Sequence, residues 1–467
     1  MRETAEVLGR LDAIDSTPRL WYLVFLLAVG GFFEHYDWGL TAPISAGLVA
    51  DGVFRVGNAG LFGFPDQATF VFATFAGLFI GILGYGLIGD RLGRKFVFCY
   101  ALLLYAGATL VMGLQHDALW TCFWRFIAGI GVGAENVAID CYLIELLPKR
   151  LRGRAFSLTM TIMFCGGPVG AFLGLALVPD GLLGIAGWRW LAFVPVLGAM
   201  GFWWFRLALP ESPTWLAQQG HLQEAHQVLD RLGAPLQSAT HQRSLDERSA
   251  STPNMSVAKL AGMLLVYTNF LVIAYFGFVN WLPAFLQAHG VPLKQSLAYN
   301  AGITAAVPVG CLIFIVWSDL GERKFLLVGN GVAAVIFGLC FGWASAPAGW
   351  LLFGVCLQLT LSAQSVLTHN YVAEVFPSKI RARAVGLIWS TTRISAAVSG
   401  YIVVWVLDRF GVSGVLAMLS GLMFVGLFGV LVFGPRTRTS AVTYMPEQFE
   451  PSPHDLIVVS QSTAGGE

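Results

Sequence analysis

The chain has 467 residues, 56% of them hydrophobic and 12% charged, with a formal net charge of +1. A soluble domain carries about 25% charged residues, so this composition excludes an ordinary soluble globule and places most of the chain in lipid. The balanced charge and the lack of an aromatic-basic array give no footing for nucleic acid. The seven cysteines all fall in apolar segments, where they read as small packing residues and not as disulfides or metal ligands.

A charged stretch from Arg2 to Arg19 leads into the first apolar run, and no cleavage site follows, so that run reads as a retained helix. Apolar runs of about 20 residues, the length that crosses about 30 Å of hydrocarbon, then recur along the chain. They predict spans near 20–49, 66–89, 96–114, 118–146, 155–178 and 188–209, and again near 259–287, 297–317, 324–343, 348–373, 383–406 and 412–434. Prolines and glycines inside them are expected to bend the helices more often than to end them. Between the two sets, Pro213 to Leu232 spaces Trp215, Leu216, Leu222, Ala225 and Leu229 as one or two short amphipathic helices do. The expected fold is an all-α membrane protein with twelve transmembrane helices in two pseudo-symmetric six-helix bundles. The bundles are residues 1–209 and 259–434. Residues 210–258 form a cytoplasmic linker, flexible over 240–254, and 435–467 a disordered tail. The N-terminus, the even-numbered connections and the C-terminus carry most of the 28 Lys and Arg, which puts both termini in the cytoplasm of a multi-pass cell-membrane protein.

The halves repeat each other at an offset of 229 residues. Asp90, Arg94 and Lys95 recur as Asp319, Arg323 and Lys324. Glu145, Pro148, Arg152 and Arg154 recur as Glu374, Pro377, Arg381 and Arg383. A hydrophobic chain with two parallel halves bearing the same charged loops has the sequence form of a two-lobed transporter.

Several ionisable residues lie inside the spans, where charge is costly and marks an ion or substrate path by default. Glu34 and Asp37 stand at i and i+3 near the middle of the first span and share a face, so both cannot ionise cheaply and one suits a proton carrier. A structural carboxylate bonded to neighbouring helices is the rival reading of each, and His35 reads better as packing. Arg125, a few residues inside the fourth span, is the natural partner of Asp37 for coupling or for pinning two helices together. Arg393 lies about ten residues into the eleventh span with no acid in the preceding turn. A guanidinium facing a central cavity binds a carboxylate bidentately, and this residue is the main reason to expect an anionic substrate. The second half has no acid deep in any span, so a substrate anion is expected to complete Arg393, unless another helix or backbone carbonyls do. Glu135 and Asp140 lie in the fourth span and His369 in the tenth, with Asp140 and His369 at equivalent repeat positions. They line an inner vestibule or pair across the lobes. Asn280, Trp281, Gln358 and Gln364 are further candidate cavity groups.

Gly86-Leu87-Ile88-Gly89-Asp90-Arg91-Leu92-Gly93-Arg94-Lys95 closely resembles the loop 2–3 signature of the major facilitator superfamily. Arg125-Phe126-Ile127-Ala128-Gly129-Ile130-Gly131-Val132-Gly133 resembles its fourth-helix motif, and Pro210-Glu211-Ser212-Pro213 the motif closing the first half of sugar porters. The resemblance implies six plus six helices, a midplane site and alternating access. It also implies that an Asp–Arg pair such as Asp37–Arg125 couples protons. Asp90, Arg94, Glu145, Arg152 and Glu211, with Asp319, Arg323, Glu374 and Arg381, then belong to ion-pair networks that hold the outward-open state and break on inward opening. Gly30 to Asp37 resembles the first helix of both sugar porters and metabolite:proton or aromatic-acid:proton symporters. Tyr275 to Pro283 leans to the latter, and the fifth span lacks the Gln of sugar porters. The expected function is proton-coupled import of a small organic anion, such as an aromatic or other carboxylic acid, by a monomer with no cofactor. The rivals are a sugar or polyol symporter, a non-transporting nutrient receptor, a membrane enzyme and an efflux antiporter. Gly166-Gly167-Pro168-Val169-Gly170 partly resembles the antiporter motif, while no nucleophile–base pair or metal-ligand cluster supports an enzyme.

Overall fold

The computed structural model describes residues 2–55, 60–235, 257–317, 322–376 and 378–436. The expected flexible linker at 240–254, most of the tail and Asp319 lie outside the described residues, as does the side chain of Arg381. Among the described residues the regular secondary structure is helical, apart from one isolated bridge between Leu182 and Ile185.

The first half holds α1 (Arg2–Asp12), α2 (Pro18–Ala50), α3 (Asp66–Leu92), α4 (Arg94–Gly113), α5 (Ala118–Leu146), α6 (Lys149–Phe164), α7 (Gly166–Leu177) and α8 (Gly187–Leu207). Two short helices, α9 (Pro213–Gln218) and α10 (Leu222–Leu232), follow. The second half holds α11 (Val257–Val279), α12 (Leu282–Ala288), α13 (Leu293–Thr304), α14 (Ala306–Trp317), α15 (Arg323–Trp343), α16 (Pro347–Val375) and α17 (Ser378–Phe433). Among the described residues, ten segments are long and apolar enough to cross a membrane. One of them, Ala384–Phe433, is two spans, because Gly411 at φ +66° breaks the helical path within α17. With α2 the described residues hold twelve spans.

Local chemistry sets where the helices start and stop. The Thr17 hydroxyl accepts from the Leu20 amide with Pro18 in the first turn of α2, and the Asp117 carboxylate accepts from the Trp120 amide at the start of α5. Three spans are interrupted where only bends were expected. α6 ends at Phe164, α11 at Val279 and α13 at Thr304, each four residues before a proline: Pro168, Pro283 and Pro308. Proline lacks the N–H that would bond that carbonyl and its ring crowds it. Pro43 and Pro195 sit inside unbroken α2 and α8.

Glycines let α3 and α5 touch backbone to backbone. Gly77 and Gly81 lie against the carbonyls of Phe126 and Ile130, and Gly129 and Gly133 against those of Thr74 and Leu78. Lipid tails supply no hydrophobic force between helices, so close packing of small residues holds them. Gly133→Val, which drives a branched side chain into the Leu78 backbone, is expected to cost about 3 kcal/mol or more. It should lower the melting temperature in detergent and broaden the size-exclusion peak; an unchanged melting curve would contradict this packing.

The sequence shows no helix ahead of the first span, but α1 is one. Val7 and Leu11, with Ile14 just beyond it, are fully buried with Leu216, Ala225 and Leu229 of α9 and α10. Arg10 reaches Asp230 at 2.6 Å and His226 at 2.7 Å, and Arg150 reaches Asp15 at 2.5 Å. These elements share one hydrophobic cluster at the end of the bundle where the chain begins, drawn from the first half and the segment that follows it, 210–235, with no residue of the second half.

The lobes meet toward the opposite end. Tyr401 of α17 packs on Phe64 and Phe72, with ring centroids 4.7 and 5.6 Å away, and its hydroxyl lies 3.5 Å from Thr69. Phe276 packs against Phe75 at 4.5 Å and Trp38 at 5.8 Å. Lys294 pairs with Asp180 at 3.0 Å, and α13 packs on α7. The bundle is therefore closed at the end away from the chain's start.

Candidate functional site

Asp37 and Arg125 form a closed knot in the first lobe. Arg125 Nη1 donates to Asp37 Oδ1 at 2.6 Å, both side chains being 1% exposed. Arg125 also donates to Thr74 Oγ1 at 2.9 Å and Thr41 Oγ1 at 3.0 Å, and lies 5.1 Å from the Phe70 ring centre. The Tyr105 hydroxyl donates to the same Asp37 oxygen at 3.2 Å. Four helices, α2 to α5, each contribute a group, so the knot also ties the lobe together.

Glu34, one turn away, is left open. One carboxylate oxygen accepts from the Asn136 amide of α5; the other is buried with no hydrogen-bond partner in the protein. His35 turns from the Asp37 face, its Nδ1 3.2 Å from the Gly31 carbonyl and its ring against Trp38 and Phe164.

Arg393 comes from the other lobe. Its guanidinium carbon lies 5.4 Å from the centre of the Trp38 ring, and its Nε has no hydrogen-bond partner in the protein. It is not remote from acids, as its own half suggested: Glu34 and Asp140 of the first half both lie within its electrostatic range. The halves that the sequence separates meet here in space. His369 is exposed on α16 with its ring stacked 3.8 Å from Trp389, and it too lies within range of Arg393.

The other candidates divide by whether their polar atoms are free. Asn280 and Trp281 sit at the break between α11 and α12; Asn280 Nδ2, Trp281 Nε1 and Gln358 Nε2 are buried without partners. Gln364 is instead used inside the second lobe, donating to Tyr267 at 2.7 Å and accepting from Asn330 at 2.6 Å. Glu135 is paired with Arg206, whose guanidinium carbon lies 4.0 Å from the Phe98 ring centre. Arg206 lies in the last turn of α8, which runs to Leu207 and buries it.

The repeated loop charges make matching pairs. Arg94 holds Glu145 at 3.1 Å, and its repeat mate Arg323 holds Glu374 at 2.7 Å. Arg94 also bonds Asp90 at 2.9 Å. Glu211 accepts from the Arg94 amide at 3.0 Å and the Lys95 amide at 3.2 Å, a carboxylate on the positive end of α4. Burial pushes the Glu211 carboxyl up, against the opposing pull of these amides and that of Ser212. Arg152 donates to the Leu147 carbonyl at 3.0 Å. Asn136, Trp38, Tyr105, Thr41 and Thr74 were not singled out from sequence. Only the helical spacing of Trp38 to Glu34 could have flagged one of them.

Two six-span lobes, mid-span charged groups at their junction and twinned loop pairs define a secondary transporter of the major facilitator class. The chain belongs to the sugar (and other) transporter family, whose model matches residues 23–449. It is 30% identical over 380 residues to the inner membrane metabolite transport protein YgcS of Escherichia coli, covering 78% of this chain and 82% of that protein. It is 25% identical to the niacin transporter NiaP of Acinetobacter baylyi, covering 82% and 86%. Its fold is similar to that of the E. coli xylose transporter XylE in an inward-open conformation, with a TM-score of 0.69, 17% identity and 90% and 97% coverage. It is a multi-pass membrane transporter and not an enzyme.

Proposed function

We propose that this transporter imports a small organic anion, a carboxylic acid of aromatic or similar size, together with protons. The observation that carries the reading is Arg393: a mid-span cation with an unpartnered Nε, laid beside an aromatic ring at the junction of the lobes. A buried donor left without a partner is costly there, and a carboxylate stacked on Trp38 supplies the acceptor in the geometry a guanidinium fork prefers. The relative named for niacin, a pyridine carboxylic acid, supports the reading.

The Lys and Arg bias assigns the chain's starting end to the cytoplasm of the cell membrane. Closure at the other end then makes this an inward-facing state, and import proceeds by alternating access of a monomer. The loop pairs Arg94–Glu145 and Arg323–Glu374 are formed inside their own lobes in this state, so they do not break on inward opening as expected. With Asp90, Glu211, Arg152, Asp319 and Arg381 they make up the charged rims that meet when the cytoplasmic side closes.

A sugar or polyol symporter is the second reading, favoured by the unpartnered amides of Asn280 and Gln358, which suit hydroxyl groups. The test is uptake into proteoliposomes of nicotinate, benzoate, xylose and arabinose, with and without an imposed pH gradient, acid outside. Gradient-driven accumulation of an acid is expected. Accumulation of a sugar and of neither acid would replace the first reading with the second.

A further inference from the structure

The geometry points to Glu34, and not Asp37, as the group that takes up the transported proton, its protonation linked to an anion competing for Arg393. This rests on the anion reading and concerns how that site is coupled.

Glu34 and Trp38 are i and i+4 neighbours on α2, so they lie one above the other on one face. Arg393 is laid over Trp38, which brings the second lobe's cation to the face that carries Glu34. Asn136, which donates to Glu34, is followed one turn on by Asp140 on the same face of α5. The site thus holds one cation from α17 and two carboxylates from α2 and α5. Glu34 also feels Glu135, but that charge is matched by Arg206. The nearby imidazoles, His35 on α2 and His369 on α16, each place Nδ1 near a backbone carbonyl.

Without substrate, Arg393 is balanced by acids of the first lobe. An incoming carboxylate adds a third negative group to a single guanidinium, and such an excess is not tolerated away from water. The cheapest correction is a proton on Glu34, which is buried with one oxygen lacking a partner, whereas Asp140 is only partly buried and keeps access to water. Asp37 has no such freedom, because Arg125 and Tyr105 occupy it inside its own lobe. Protonation of Glu34 releases Arg393 to the substrate, and departure of the substrate returns Arg393 to Glu34 and expels the proton. Coupling of this kind is reciprocal: the anion favours the proton and the proton favours the anion.

The test uses the full-length protein in nanodiscs and has two readouts. The first is infrared difference spectroscopy during a pH titration and on addition of nicotinate. The wild type should show a protonated-carboxyl stretch that grows when nicotinate is added, and Glu34→Gln should remove it. The second is nicotinate affinity against pH. Linked uptake of one proton changes affinity by up to about tenfold per pH unit. Wild type and Glu34→Asp should show this slope, and Glu34→Gln should bind with no slope and exchange nicotinate without accumulating it. The Asp variant guards against misreading a folding defect. A carboxyl band and a pH slope that both survive in Glu34→Gln would overturn the proposal. Failure of every acid to bind the wild type sinks the anion reading instead, while the ligand-free titration still reports whether Glu34 takes a proton.

Discussion

Asp37→Asn is expected to destabilise the first lobe by about 3–5 kcal/mol, because it leaves Arg125 charged, buried and without a counter-ion. Arg125 cannot shed its charge, and its remaining contacts, Thr41 and Thr74, are neutral. Arg125→Gln should cost a similar amount by stranding the carboxylate. The double variant should recover much of the loss, since two neutral amides replace two buried charges. Thermal unfolding of all four proteins in one detergent forms the cycle, with a coupling energy well above the ~0.5 kcal/mol seen for independent sites. Transport distinguishes the roles further. The single variants should lose substrate exchange along with accumulation, unlike Glu34→Gln. A fully stable Asp37→Asn protein that still exchanges but cannot accumulate would return the proton to Asp37.

The second large effect is expected at Arg393. Arg393→Lys keeps the charge but replaces a planar fork by a point charge, so a carboxylate loses one of two parallel hydrogen bonds. A charge-assisted hydrogen bond contributes about 1.5–3 kcal/mol, so nicotinate or benzoate affinity should fall roughly 10- to 150-fold. Arg393→Gln should weaken it further, and it also leaves Glu34 and Asp140 without the cation they share. Isothermal titration in nanodiscs reads both. Neutral sugars serve as the control: xylose binding equally to wild type and Arg393→Gln, with no acid binding either, would end the organic-anion reading.

The spans were legible because each is a local statement. An apolar run of the right length must be a helix in lipid, since no other open structure satisfies its backbone. The repeat was legible for the same reason: Arg94–Glu145 and Arg323–Glu374 recur because the same local sequence returns 229 residues later. Asp37 and Arg125 could be named because few cations lie inside the spans and Arg125 stands at a depth compatible with Asp37. The helix breaks ahead of Pro168, Pro283 and Pro308 were less legible, because whether a proline bends or ends a helix depends on what fills the gap it leaves.

The role of each mid-span polar group was decided by tertiary structure alone. Glu135 and Asn136 are adjacent in sequence, yet one meets Arg206 and the other Glu34, because successive residues on a helix face different neighbours. Gln364 is consumed by Tyr267 and Asn330, while Gln358, nearly two turns earlier, keeps a free amide. Arg393 has no acid deep in any span of its own half but meets the first half's acids where the lobes close together. Composition and spacing determine that a charged group must be compensated in lipid; only the packing of helices far apart in sequence determines by what.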